Sequence, residues 1–321
     1  MRNQWRPSIS TTTLRRRAQF LADIRAFFCV RKILEVDVPV LGLTGVTDLY
    51  IDSPCLADPD FGFLQSSPEY YMKRLLAADS GSIYCLGKAF RSREFGARHY
   101  PEFTMLEWYR TDWDEHRLMR EVFDLFNSLG VVDDDRGYVK YSYRELFFGQ
   151  TNVDPHLDNM DSIVALASKV ANRDMVDENR TTCLNLIFSL VIEPSLPEGV
   201  VFIYDYPTCM AALAEITEVG GVTVARRFEV FCDQVEIGNG YYELTDHDQL
   251  RRRFEEDNNQ RKVSGKPTVK LDERLLAALA DGLPSCSGVA IGVDRLLMKL
   301  LGTENIREVL SFADIDGASG S

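Results

Sequence analysis

Residues 90 to 109 read Phe90-Arg91-Ser92-Arg93-Glu94-Phe95-Gly96-Ala97-Arg98-His99-Tyr100-Pro101-Glu102-Phe103-Thr104-Met105-Leu106-Glu107-Trp108-Tyr109. Within this one stretch lie arginines suited to phosphate, an aromatic face suited to a base and carboxylates suited to an ammonium. Strand-like runs at 82–87 and 102–109 flank a charged loop that contains Gly96. That pattern predicts an antiparallel pair with a long connection.

Outward from this pair, the spacing of Leu14, Ala18, Leu21, Ile24 and Phe28 predicts a helix over 13–32, with a cap among Thr11, Thr12 and Thr13. Alternation over 34–41, with Pro39 near its end, predicts a strand at a sheet edge or interface. Ser67 and Pro68 read as the cap and first position of a further helix. Helices are expected at 113–130, 158–172, 246–260 and 294–301, and strands at 200–205, 223–232 and 235–237. Asp133-Asp134-Asp135 reads as a solvated loop, since nothing beside it completes a calcium-loop pattern. Hairpin-connected strands with helices grouped between them predict an α+β protein on an antiparallel sheet. No repeat of 20 to 50 residues is present.

A chain of 321 residues with 45% hydrophobic content can bury a large core. No apolar run approaches the roughly 18 residues that span a bilayer, and the first residues lack the apolar stretch of a secretion signal, so a cytoplasmic protein without membrane contact is expected. Seven scattered cysteines and four dispersed histidines form no C-x-x-C or similar metal pattern. The net charge of −13 opposes attraction to a polyanion and makes tRNA an unfavourable partner. Arg15-Arg16-Arg17 and Arg251-Arg252-Arg253 read as solvated helix faces.

Neither G-x-x-x-x-G-K-[ST] nor G-x-G-x-x-G occurs, so bound ATP would be held by side chains. Arg91 and Arg295 suit that task because a guanidinium offers planar, permanently charged donors to phosphate oxygens. The acidic residues Glu69, Glu107 and Glu243 suit a dibasic substrate, whose ammonium groups must be paired once they leave water.

The motif Phe90-Arg91 to Tyr109, the turn Ser67-Pro68-Glu69 with Lys73-Arg74-Leu75, the run Ile237-Gly238-Asn239-Gly240-Tyr241-Tyr242-Glu243-Leu244 and the pair Asp294-Arg295 together resemble the catalytic core of the class II lysyl-tRNA synthetases. The resemblance implies a class II catalytic fold over 1–321 with a helical insertion at roughly 112–185 and no anticodon-binding domain. Helix and proline-ended strand resemble the first class II motif, which implies a homodimer. The resemblance implies that Arg91 bridges the ATP α-phosphate and the substrate carboxylate, that Arg295 holds the γ-phosphate, that His99 adds a phosphate contact and that adenine stacks on Phe103. Ser92, Arg93, Glu94, Tyr100, Glu243, Leu244 and Gly292 complete the implied nucleotide set, and Glu229 and Glu236 match carboxylates that bind Mg²⁺ through ATP oxygens. On the amino-acid side it implies Asn239 at the carboxylate, Tyr241 along the stem, Glu107, Tyr109 and Glu243 at the distal ammonium, and Glu69 at the nearer amino group, with Ser67, Pro68 and Ala290 beside them.

Four departures narrow the resemblance. The dimer-motif helix starts near residue 13, Ala290 stands where the synthetases have glycine, and the glutamate of F-R-x-E falls on Arg93, with Glu94 one residue later. A fourth, Tyr100, replaces an asparagine. The first two resemble the stand-alone paralogues that attach β-lysine to a lysine side chain of translation elongation factor P. The expected function is therefore ATP-dependent activation of lysine or β-lysine and transfer to elongation factor P. A truncated enzyme acting on tRNA and an inactive regulatory paralogue stay open at this stage.

Overall fold

The computed structural model describes residues 5–57, 62–132 and 137–315. The first helix, α1 (Thr11–Val30), begins after Ser10, whose hydroxyl accepts from the Thr13 amide at 3.1 Å. The cap is thus one residue ahead of the expected threonines. It buries Phe20, Ile24, Phe27 and Phe28. The strand expected over 34–41 does not form as one piece. Leu34–Glu35 (β1) pairs parallel with β4 (Ile83–Phe90), whereas Leu41–Gly42 (β2) turns away to pair antiparallel with β3 (Phe63–Leu64). The pairing with β4 stops at Val36, whose amide donates to the Tyr84 carbonyl, ahead of Pro39.

β4 and β5 (Glu102–Thr111) form the expected antiparallel pair, in register from Ile83 opposite Tyr109 to Phe90 opposite Glu102. They belong to a nine-stranded sheet among the described residues with β6 (Tyr138–Ser142), β7 (Val200–Pro207), β8 (Ile216–Val219), β9 (Val222–Cys232), β10 (Val235–Tyr242) and β11 (Cys286–Gly292). The order is β1-β4-β5-β11-β10-β9-β7-β6 with β8 beside β9, parallel only at β1/β4 and β6/β7. The expected α+β class on an antiparallel sheet is what is found.

One face of the sheet is closed by α1, α3 (Glu115–Ser128) and α9 (Val293–Leu301), which bury Leu106, Trp108, Phe228, Val289 and Ile291 beneath them. On the opposite face, α4 (Tyr143–Thr151), α5 (Met160–Ala171), α6 (Arg180–Ile187) and a π-helical turn at Phe188–Ile192 cover the β7/β9 end. The β4 end is covered by α2 (Glu69–Ala77), α7 (His247–Val263) and α8 (Glu273–Gly282). Between these two groups the face is open over β5, β11 and β10.

β6, β8, β11, α4, α6 and α8 were not expected from the sequence. A signal for α4 was present, because Ser142 and Glu145 form a reciprocal capping box. The Asp133-Asp134-Asp135 triplet lies outside the described residues. No helix among the described residues is long and apolar enough to cross a membrane.

Candidate active site

Side chains alternate across a strand, so residues two apart share a face. On β5 that rule sends Leu106 and Trp108 into the core and leaves Phe103, Met105, Glu107 and Tyr109 facing the open strip. Register extends the row. Glu107 lies opposite Ala290, which lies opposite Asn239, and Tyr109 lies opposite Gly288, which lies opposite Tyr241. A bulge between Glu236 and Gly238 lets Glu236 and Asn239, an odd number of residues apart, line the same cavity.

Two adjoining cavities occupy the strip, of about 330 and 170 Å³, and Arg91, Met105, Asn239 and Ala290 line both. The larger one ends in carboxylates. Glu107 accepts from Ser67 at 2.6 Å and from the Tyr109 hydroxyl at 2.7 Å. Ser67 also accepts from the Glu69 amide at 3.0 Å. α2 starts at Glu69 with Pro68 in the cap position, so Ser67 sits one residue earlier than expected and is free to donate to Glu107.

Lys73, only 2% exposed, stands 2.6 Å from Glu69 Oε1 and 2.7 Å from Glu243 Oε2. Glu243 is 1% exposed, and apart from Lys73 at Oε2 its carboxylate has no polar partner among the described residues, which leaves Oε1 without one. Its Oε1 faces Gly288, where an added Cβ would overlap the Tyr109 ring and come within 2.5 Å of that oxygen. Burial, with Glu69 beside it, pushes Glu107 up to about 7. Burial also pushes Glu243 up to about 8, against the pull of Lys73. Lys73 moves upward too, because two carboxylates hold its charge against desolvation. Both directions follow from an excess of carboxylate over ammonium.

The smaller cavity carries three arginines, Arg91, Arg98 and Arg295, set among Glu94, Glu236 and Asp294. Arg295 donates to the Arg98 carbonyl at 3.2 Å and the Glu236 carbonyl at 3.0 Å, and its third nitrogen is 2.6 Å from His99 Nε2. Burial and the adjacent guanidinium lower the His99 pKa, which keeps the ring neutral and Nε2 an acceptor. Arg91 lies 5.2 Å from the centre of the Phe103 ring and 3.7 Å from Glu94. The chain takes a left-handed turn at exposed Arg93, φ +63°, and this brings Glu94 into the cavity. Gly292 and Tyr100 also line it, and the buried Tyr100 hydroxyl accepts from the Ile315 amide at 2.9 Å.

Pro68, Ser92, Arg93, Glu229 and Leu244 line neither cavity. The Leu244 side chain is core, and the Ser92 amide is tied to the Asp52 carbonyl. Glu229 faces buried Arg227 at 2.7 Å, while Glu236 lies 3.6 Å from Arg295. Among the described residues, no group of three or more acidic, histidine or cysteine side chains could hold a metal ion. Burial first, and then the charge of Glu236, raise the Glu229 pKa, and two such carboxylates are the oxygen donors that fit a hard cation taking its other ligands from phosphate and water.

Sequence reasoning gave no role to Lys73 or Arg227, and its reading of Arg15-Arg16-Arg17 and Arg251-Arg252-Arg253 as solvated helix faces fails at Arg17, whose side chain is 11% exposed, and at Arg253, which lines the larger cavity and donates to the Ala212 and Ala214 carbonyls. Arg17 on α1 reaches Asp294 at 2.6 Å and Thr104 at 2.8 Å, and Asp294 accepts from the Thr104 amide at 2.6 Å, so the neighbour of Arg295 is locked to β5.

The description "tRNA synthetases class II (D, K and N)" matches residues 3–316. The chain belongs to this family. It is 43% identical over 319 residues to the elongation factor P–(R)-β-lysine ligase of Photorhabdus laumondii, covering 96% of this chain and 97% of that protein. It is 44% identical over 321 residues to the ligase of the same name from Proteus mirabilis, with the same coverage, and 43% identical over 319 residues to that of Avibacterium paragallinarum, covering 97% and 98%. A class II synthetase domain that spans nearly the whole chain fits the two-cavity strip on the antiparallel sheet.

Proposed function

We propose that this protein is an ATP-dependent ligase that activates a lysine-type diamino acid, (R)-β-lysine first among them, and transfers it to a lysine side chain of translation elongation factor P. The observation that carries the reading is the join between the two cavities. Arg91, Asn239 and Ala290 stand where a carboxylate-walled chamber meets an arginine-walled one. A diamino acid with its ammonium groups toward Glu69, Glu107 and Glu243 presents its carboxylate to Arg91 and Asn239. ATP with adenine on Phe103 and phosphates toward Arg295 and His99 presents its α-phosphorus at the same place.

No general base is needed, because a carboxylate is already nucleophilic at neutral pH. The residues align it and neutralise charge on the phosphate oxygens. The carboxylate oxygen bonds to the α-phosphorus as the bond to pyrophosphate breaks. The acceptor amine then attacks the adenylate carbonyl, AMP departs and the amine proton passes to solvent. Mg²⁺ held by Glu229 and Glu236 would supply further charge neutralisation.

In this reading the chain works as one catalytic domain with a helical insertion over roughly 112–185. It pairs as a homodimer through α1 and the segment after it, where Val30, Leu34, Leu41 and Leu43 are exposed apolar side chains. It acts in the cytoplasm beside translation, and its net charge of −13 disfavours tRNA.

Incubation of elongation factor P with the enzyme, ATP and (R)-β-lysine should add one lysine-sized mass to the factor. Aminoacylated tRNA with the factor unchanged would overturn the assignment. Ala290 lies between Glu107 and Asn239 in the sheet, so its methyl crowds the substrate backbone. Ala290→Gly should therefore shift the kcat/KM ratio toward α-lysine over β-lysine by roughly tenfold, the effect of one methyl in a close-fitting pocket. An unchanged ratio would remove Ala290 from the specificity argument.

A further inference from the structure

The carboxylate end of the larger cavity contains a cation of the protein's own. Lys73 on α2 is as buried as any core residue, and its ammonium bridges two elements, reaching Glu69 one turn earlier on its own helix and Glu243 just past the end of β10. It does not line the cavity. Glu69, Glu107 and Glu243 do, and Glu243 turns an oxygen without a hydrogen-bond partner toward Gly288 and the Tyr109 ring. A lysine that only filled space would be replaceable by methionine, which has nearly the same shape and no desolvation cost.

We propose that Lys73 is a resident counter-ion that sets the charge the substrate must bring. Lys73 offsets one of the three carboxylates Glu69, Glu107 and Glu243, and with Asp48, Glu256 and Asp257 against Arg91 and Arg253 elsewhere on the wall the chamber keeps the negative charge that an amino acid with two ammonium groups complements. By gripping Glu69 from one side and Glu243 from the other, Lys73 also fixes the two carboxylates at their separation, so that each offers its remaining oxygen to the substrate. Lys73 is a positioning residue, since it acts on the substrate through these two side chains. The inference rests on the diamino-acid reading given above.

The test compares wild type, Lys73→Met and Lys73→Arg by amino-acid-dependent pyrophosphate exchange, with (R)-β-lysine and with the neutral analogue norleucine. Lys73→Met should raise KM for β-lysine roughly 10- to 100-fold, as expected when a buried pair loses one partner. KM for ATP should stay within about twofold, because the arginine-walled cavity is untouched. Lys73→Arg, which keeps the charge, should recover part of the loss. An unmoved KM for β-lysine in folded Lys73→Met, or an equal loss toward ATP, would overturn the counter-ion. Wild type that exchanges as well with norleucine as with β-lysine would overturn the diamino-acid reading itself, which separates the two failures. If Lys73→Met does not accumulate as folded protein, Lys73→Met with Glu243→Gln removes the ion and one partner together. Recovery of folding in that pair supports the charge balance, and a pair as poorly folded as the single variant overturns it.

Discussion

Arg295→Ala lowers amino-acid-dependent pyrophosphate exchange by roughly a hundred- to a thousandfold, the cost of losing one preorganised charge donor at a reacting group. The guanidinium is held before any nucleotide arrives. Two backbone carbonyls, of Arg98 and Glu236, and the neutral His99 ring fix its plane. Such a fork meets phosphate without reorganising, which is where its advantage over a mobile lysine lies. Arg295→Lys is accordingly expected to recover less than a tenth of the lost exchange. The fold should survive, since Arg295 sits at the surface end of α9 while Asp294 beside it carries the buried contacts to Arg17 and Thr104. Exchange within threefold of wild type in the folded alanine variant would contradict the phosphate role.

The second large effect is at the opposite end of the strip. Glu243→Gln should raise KM for the diamino acid on the order of a hundredfold, as loss of one partner of a buried charge pair does. The pH dependence follows from the same carboxylates. In the ligand-free protein burial raises Glu107 to about 7 and Glu243 to about 8, with Ser67, Tyr109, Lys73 and Glu69 as their polar neighbours. An arriving ammonium favours the ionised form, so binding expels whatever proton is present. Affinity therefore rises with pH through this window and levels off above about 8, where both groups are already ionised. KM for the diamino acid, measured by exchange between pH 6 and 9, should fall and then flatten, while KM for ATP follows a different course. A profile for the amino acid that is flat from 6 to 8 would show that these carboxylates do not meet its ammonium groups.

Much of the strip was readable from residue types alone. Phe103, Glu107 and Tyr109 are spaced by even numbers, and once 102–109 reads as a strand, period two assigns them one face. Arg91, Asn239, Glu243 and Arg295 were picked out by chemistry and by resemblance, and they line the two cavities. Arg93 and Leu244 were taken from the family pattern and line neither, because Arg93 is exposed at its left-handed turn and the Leu244 side chain is buried in the core. The strand expected over 34–41 is split because Leu34–Glu35 and Leu41–Gly42 pair with different strands, a choice that local periodicity does not carry.

By itself the sequence determined the α+β class, the antiparallel pair around residues 90–109 and the chemistry of the side chains available to a nucleotide and a diamino acid. These are consequences of local periodicity and of functional groups, which require no knowledge of distant neighbours. Only the tertiary structure decided that Lys73, four residues from Glu69 on α2, also meets Glu243 just past β10, and that Glu236 reaches the same cavity as Asn239 through a bulge. Ion pairing and strand register depend on which segments burial brings together, and that choice is made by packing across the whole chain.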